Sequence, residues 1–176
     1  MNVTRGVTLM VLLSLTAGVR LAAAEQVIFL VRHAERADAA ATPAPTGAHS
    51  MLGDDPPLSA AGEQRAARLA ATLAQAGITD IVTTEFKRTR QTAAPLAEKL
   101  KITPIMSAAK DPGPLVARLK NAKAPVLVVG HANTLPDVIK ALGVAEPVAI
   151  GDNDYDNLFI VVRAPSGKAT LIRLKY

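Results

Sequence analysis

The chain has 176 residues, 49% of them hydrophobic, which supports one domain with a sizeable core and excludes a disordered chain. It contains no cysteine, which excludes a disulfide framework, a thiolate zinc site, a catalytic thiol and a lipid-modified N-terminal cysteine. The formal charge of +5 is spread along the chain without a run of basic residues, so there is no nucleic-acid footprint.

Residues 1–24 read as a leader. Arg5 gives a basic start, residues 7–19 are apolar apart from Thr and Ser, and Ala22-Ala23-Ala24 offers a small-residue cleavage site. That is the order of a secretory signal peptide. The apolar run is short for a membrane span, and Arg20 interrupts its end. The expectation is cleavage after Ala24, a periplasmic or secreted mature chain without stable membrane insertion, and a single domain over residues 25–176. The leader carries Arg5 and Arg20 and no acid, so the mature charge is +3. A mild positive excess suits small anionic substrates.

The first predicted strand is Val27-Ile28-Phe29-Leu30-Val31, an apolar, β-rich run ending in Arg32-His33. Residues 34–57, rich in Ala, Pro, Asp and Gly, read as a long loop at the sheet edge, with His49 as a solvated loop histidine. Ser59 is a predicted N-cap, followed by Ala66, Leu69, Ala70 and Leu73 at helical spacing, with Gly77 as the stop. A second strand covers residues 78–84. A loop with Lys87, Arg88 and Arg90 leads to a helix carrying Ala93, Leu96, Ala97 and Leu100, which Pro95 is expected to delay or kink.

Residues 102–106 form a third predicted strand and residues 115–119 a modest helix. Val126-Leu127-Val128-Val129-Gly130 is the strongest buried-strand signal, and it too ends in a histidine, His131. Thr134 is expected to cap a fourth helix through Leu142. Residues 158–162 and 169–174, joined by Pro165-Ser166-Gly167, read as an antiparallel hairpin. Asp152-Asn153-Asp154-Tyr155-Asp156-Asn157 has the alternating acids of a calcium loop. It lacks that loop's glycine and closing glutamate, so it reads as a polar loop near the rim of a site. The order βαβαβαβα then ββ predicts an α/β fold, a three-layer αβα sandwich with a mainly parallel sheet.

Parallel strands place their C-terminal ends on one edge, where open α/β sheets bind ligands. His33, His131 and Arg32 therefore share that edge, and Arg88 follows the second strand onto it. Two guanidiniums and two imidazoles suit a tetrahedral dianion. A neutral imidazole can attack phosphorus and carry the phosphoryl group, and nearby positive charge favours that neutral form.

Four segments then resemble the histidine phosphatase superfamily, of phosphoglycerate-mutase-like fold. They are Arg32-His33-Ala34-Glu35, Pro57-Leu58-Ser59-Ala60-Ala61-Gly62, Lys87-Arg88-Thr89-Arg90-Gln91-Thr92-Ala93 and Val128-Val129-Gly130-His131-Ala132-Asn133-Thr134. The resemblance implies that His33 is the nucleophile that becomes phosphohistidine. It implies that Arg32, Arg88 and His131 bind phosphate and stabilise charge, with no metal and no cofactor. Ala132 follows His131, so the His-Asp pattern of acid phosphatases and phytases is absent. Glu35, Asp111 and Glu85 remain as candidates for the general acid. A leaving group of low pKa would need none.

The implied activity is a metal-independent phosphomonoesterase acting on a small phosphorylated compound or an envelope phosphate. The alternatives are a protein phosphohistidine phosphatase and a catalytically weak phosphate-binding module. Nothing in the pattern sets an oligomeric state.

Overall fold

A computed structural model describes residues 25–37 and 55–176. The leader over residues 1–24 and the loop residues 38–54, His49 among them, lie outside the described residues.

Ten elements follow in the expected order: β1 (Gln26–Arg32), α1 (Ala60–Leu73), β2 (Asp80–Thr83), α2 (Lys87–Leu100), β3 (Ile105–Met106), α3 (Gly113–Lys120), β4 (Val126–Gly130), α4 (Leu135–Ala141), β5 (Asn157–Arg163) and β6 (Ala169–Lys175). The six strands form one sheet in the order β3-β2-β4-β1-β5-β6. The pairs β3–β2, β2–β4 and β4–β1 are parallel, and β1–β5 and β5–β6 are antiparallel. β1 and β4, the two most apolar runs, are therefore neighbours at the centre.

The two-residue period of these strands divides the core. Ile28, Leu30, Val126 and Val128 face α3 and α4, against Leu119, Leu135, Val138 and Ile139. Phe29, Val31, Leu127 and Val129 face α1 and α2, against Leu69, Leu73, Ala93 and Leu96. A strand buried on both faces has no polar alternation, which is why β4 reads as a continuous apolar run.

Ser59 is the N-cap of α1, its hydroxyl accepting from Gly62 N at 3.1 Å. Three expectations are corrected. Pro95 does not delay α2, which starts at Lys87 and continues past the proline to Leu100. Thr92, Ala93, Leu96 and Ala97 are buried on both sides of the proline, and that burial offsets the missing N–H. Thr134 stands at the N-cap position of α4, but its hydroxyl points back to the His131 carbonyl at 3.4 Å and caps nothing. α1 stops at Leu73, short of Gly77. Ala76 N bonds Leu73 O at 3.0 Å to tighten the exit, and Gly77, at φ 68°, turns the chain toward β2.

Among the described residues no helix is long and apolar enough to cross a membrane.

Candidate active site

Arg32 is the last residue of β1 and pairs in register with Gly130, the last of β4. His33 N donates to Gly130 O at 2.9 Å, which ties the two strand ends together. The His33 and His131 rings follow, with centroids 5.4 Å apart and planes at 62°. Both are buried, at 5% and 7% exposure, and Arg32 is at 9%.

The surroundings of His33 decide its chemistry. Its Nδ1 lies 2.8 Å from the Ala34 carbonyl oxygen. A carbonyl only accepts, so Nδ1 carries the proton and Nε2 keeps its lone pair. Burial, with the charges of Arg88, His131 and Arg32 behind it, pulls the His33 pKa down to about 3 against the opposing effect of the Ala34 carbonyl. Burial therefore outranks the neighbouring charge that the sequence suggested. The ring is neutral at any ordinary pH, with a free Nε2 able to act as a nucleophile.

Arg32 is divided between two tasks. Its Nη1 donates to the carbonyls of Gly151 and Asp152, both at 2.8 Å. Its guanidinium stacks on the Tyr155 ring, 4.0 Å from the centroid. The Nε–H is buried without a hydrogen-bond partner among the described residues. With Nη1 spent, the Nε–Nη2 edge remains, the side-on edge that meets two oxygens of a carboxylate or phosphate. Tyr155, whose ring is 6.1 Å from that of His33, is a site residue that the sequence reading missed. Its one signal was being the aromatic residue in an otherwise polar loop.

Arg88 lies in the first turn of α2. Its guanidinium sits 4.1 Å over the Phe86 ring, and Phe86 meets His131 edge-on at 5.3 Å. Asp55 bonds Lys87 N with both carboxylate oxygens, at 2.9 and 3.0 Å, and lies 3.6 Å from Arg88 Nη1. It thus caps a helix whose own N-cap, Phe86, offers no side-chain acceptor. Burial, then the charges of Arg88 and Arg32 against that of Glu85, lowers the His131 pKa to about 4. A cleft of about 460 Å3 opens beside the pair, lined by Phe86, Arg88, Lys110, His131 and Asp137 among others.

The candidate acids are placed elsewhere. Glu35 turns onto α1, where Arg65 holds it side-on, Nε at 2.9 Å from each oxygen and Nη2 at 2.7 Å from Oε1. Partial burial raises its pKa, but the Arg65 hydrogen bond and charge outweigh that and hold the carboxyl below the usual range. Asp111 is exposed, and its Oδ1 accepts from Gly113 N at 3.1 Å at the start of α3. Glu85 is exposed and accepts from Ala109 N at 2.9 Å. Hydrogen bonds from its own backbone N–H and from Ala109 keep it below the usual range against slight burial. Glu85 is near enough to influence His131 electrostatically. Among the described residues no group of three or more His, Asp or Glu could hold a metal ion.

The four sequence segments touch one another. Ala34 N donates to Thr92 Oγ1 at 2.9 Å, and Thr92 Oγ1 donates to Arg88 O at 2.7 Å. Gln91 Oε1 accepts from Leu58 N at 2.9 Å. A Cβ on Gly62 would overlap the Glu35 carbonyl, and one on Gly130 would lie 2.9 Å from Leu135 Cδ2.

A mixed sheet whose central parallel strands deliver two buried histidines and a half-spent arginine to one edge has the chemistry to hold a phosphate group. The family model of the histidine phosphatase superfamily, branch 1, matches residues 28–110. That match spans just under half of the chain, which over this stretch is similar to that superfamily. No curated protein sequence gives a match.

Solved structures share the fold. The protein histidine phosphatase SixA complexed with tungstate is 18% identical, with a TM-score of 0.64 over 85% of this chain and 97% of that one. Mycobacterial glucosyl-3-phosphoglycerate phosphatase is 16% identical, with a TM-score of 0.61 over 84% and 97%. Mycobacterial hydrolase 1 is 14% identical, with a TM-score of 0.65 over 87% and 99%.

Proposed function

We propose that this protein is a histidine phosphatase, an exported, metal-independent phosphomonoesterase that passes the phosphoryl group through His33 Nε2. The carrying observation is the Nδ1–H bond from His33 to the Ala34 carbonyl, which leaves Nε2 as a lone pair beside the free edge of Arg32. In this reading the Arg32 edge and Arg88 bind the non-bridging oxygens, where charge gathers in the transition state. His33 Nε2 attacks phosphorus in line with the leaving oxygen, and water then releases phosphate. The neutral state of His33 costs no deprotonation at working pH. A cleft of about 460 Å3 suits the remainder of a small phosphorylated molecule.

Protein phosphohistidine is the competing substrate class. It is favoured by the engagement of Glu35, Glu85 and Asp111 with other groups, since a nitrogen leaving group needs no carboxylic acid at the site.

The test is turnover of p-nitrophenyl phosphate by the mature protein with EDTA present, beside His33→Ala. The expected result is turnover in the parent and a loss of about 10³-fold or more in the variant. Equal rates remove His33 as nucleophile. Phosphate binding without turnover of any phosphoester supports a binding module instead. Export rests on the leader over residues 1–24. Mass spectrometry of protein from the periplasmic fraction should find a chain starting at Glu25, and an intact Met1 there would refute it.

A further inference from the structure

Two buried hydroxyls behind His131 decide which of its nitrogens is left for chemistry. Thr84 follows β2, and Thr89 lies in the first turn of α2. Thr84 Oγ1 is 3.0 Å from His131 Nε2 and 3.0 Å from Thr89 Oγ1. Thr89 Oγ1 is 2.8 Å from the Phe86 carbonyl and 3.2 Å from that of Thr84.

Each hydroxyl has one proton to give, and a carbonyl can only accept. Thr89 therefore donates to the carbonyls, and Thr84 donates to Thr89. Thr84 Oγ1 is left as an acceptor, which also suits the Phe86 N–H at 3.4 Å. His131 Nε2 must then be the donor. The reverse order would leave a hydroxyl oxygen and a carbonyl oxygen 2.8 Å apart with no proton between them, and turning only the Thr84 proton to His131 would leave the two threonine oxygens 3.0 Å apart in the same state. The two histidines thus hold opposite tautomers, His33 with its proton on Nδ1 and His131 with its proton on Nε2.

We infer that the Thr89–Thr84 relay aims His131 Nδ1 at the phosphoryl group as the general acid and base of this site. The inference rests on the phosphohistidine reading given above. The carboxylates Glu35, Glu85 and Asp111 are engaged elsewhere, whereas His131 lines the cleft together with Arg88. The charged and titratable groups facing His131 are Arg88 from α2, Arg32 from β1, Glu85 from the turn after β2, and the His33 ring.

In the resting site His131 is neutral, with a lone pair on Nδ1. A monoanionic phosphomonoester supplies the missing proton from its own P–OH group. As the His33 Nε2 lone pair forms the P–N bond, the P–O bond to the leaving group breaks. The leaving oxygen keeps that electron pair and takes the proton from Nδ1. In the second half Nδ1 accepts a proton from water, the water oxygen bonds to phosphorus, the P–N pair returns to His33, and the proton on Nδ1 passes to the departing phosphate, which leaves as the monoanion and restores neutral His131. Thr84 and Thr89 are positioning residues, acting only through the imidazole.

Nitrogen-15 NMR of the imidazole rings in the mature protein reads the tautomers without any substitution. The expected result is Nε2–H for His131 and Nδ1–H for His33, and Nδ1–H on resting His131 overturns the inference. Thr84→Val then tests the consequence. It should lower kcat on an alkyl phosphate by about 100-fold and on p-nitrophenyl phosphate by less than about fivefold, with Thr84→Ser restoring the alkyl activity. Equal losses on both substrates overturn the inference. A base-stable phosphoenzyme separates the two levels. Its absence removes the phosphohistidine reading and this inference with it, while its presence beside the wrong His131 tautomer removes this inference alone.

Discussion

Arg32 performs two jobs that only a guanidinium can combine. One nitrogen holds the loop at Gly151 and Asp152, the plane stacks on Tyr155, and the opposite edge stays open to the site. A lysine would keep the charge but lose the fork and the stack. Arg32→Lys should therefore lower kcat/KM on p-nitrophenyl phosphate by about 10²-fold or more, with the melting temperature also reduced. A loss below about threefold would show that charge alone is needed there. The positions of Arg32, His33, Arg88 and His131 were legible because a strand's end and a helix's first turn are local properties. The fate of Glu35 was not, since its partner Arg65 stands on another element. Tyr155 was hidden for the same reason: its partner Arg32 belongs to the first strand, and nothing near Tyr155 in sequence announces it.

At the scale of elements, the sequence segments prove to be each other's supports. Gln91 and Thr92 of α2 hold the backbone of Leu58 and Ala34, and α1 passes so close to Glu35 that residue 62 can carry no side chain. Reading them as an ordered set worked because they assemble as one unit. Local rules failed where tertiary packing overrode them, at Pro95 and Thr134. They also passed over the end of α2, where Lys101 adopts φ 56°, ψ 39° and donates its N–H to Ala97 and Glu98. It is the one non-glycine of positive φ among the described residues, and its side chain is exposed. Lys101→Gly removes that strain and should stabilise the protein by about 0.5–1 kcal/mol. The check is a higher urea midpoint at unchanged slope, and a lower midpoint would refute it.

At the scale of the molecule, burying two neutral histidines makes stability depend on pH. Both pKa values are depressed in the folded state, to about 3 for His33 and about 4 for His131, from 6.5. Below pH 6.5 the unfolded chain takes up protons that the folded chain refuses. Stability is thus full above about pH 6.5 and declines as pH falls toward 4. Glu35, whose ordinary value is 4.5, adds its loss only at the acid end of that window and below. Denaturant titrations between pH 4.5 and 7 should show this slope, and the double variant His33→Gln/His131→Gln should flatten it. An unchanged slope in that variant would assign the effect to other groups. The sheet itself was legible in its order of elements and in its antiparallel tail. The strand order was not, because it depends on which edges pair across the whole chain.

That strand order carries a consequence for the chain as it is made. Val27-Ile28-Phe29-Leu30-Val31 emerges first of all the strands and is uncharged, β-rich and free of proline. Its two neighbours are β4, beginning at Val126, and β5, beginning at Asn157. Through most of synthesis, and again through any passage in an unfolded state, a stretch with the composition of a cross-β segment stands with both edges bare. A holdase that keeps this protein competent has this early segment to cover, and it is the segment that ends in His33. The candidate site and the aggregation hazard share the same short stretch, quieted together when the last-made strands close over the first.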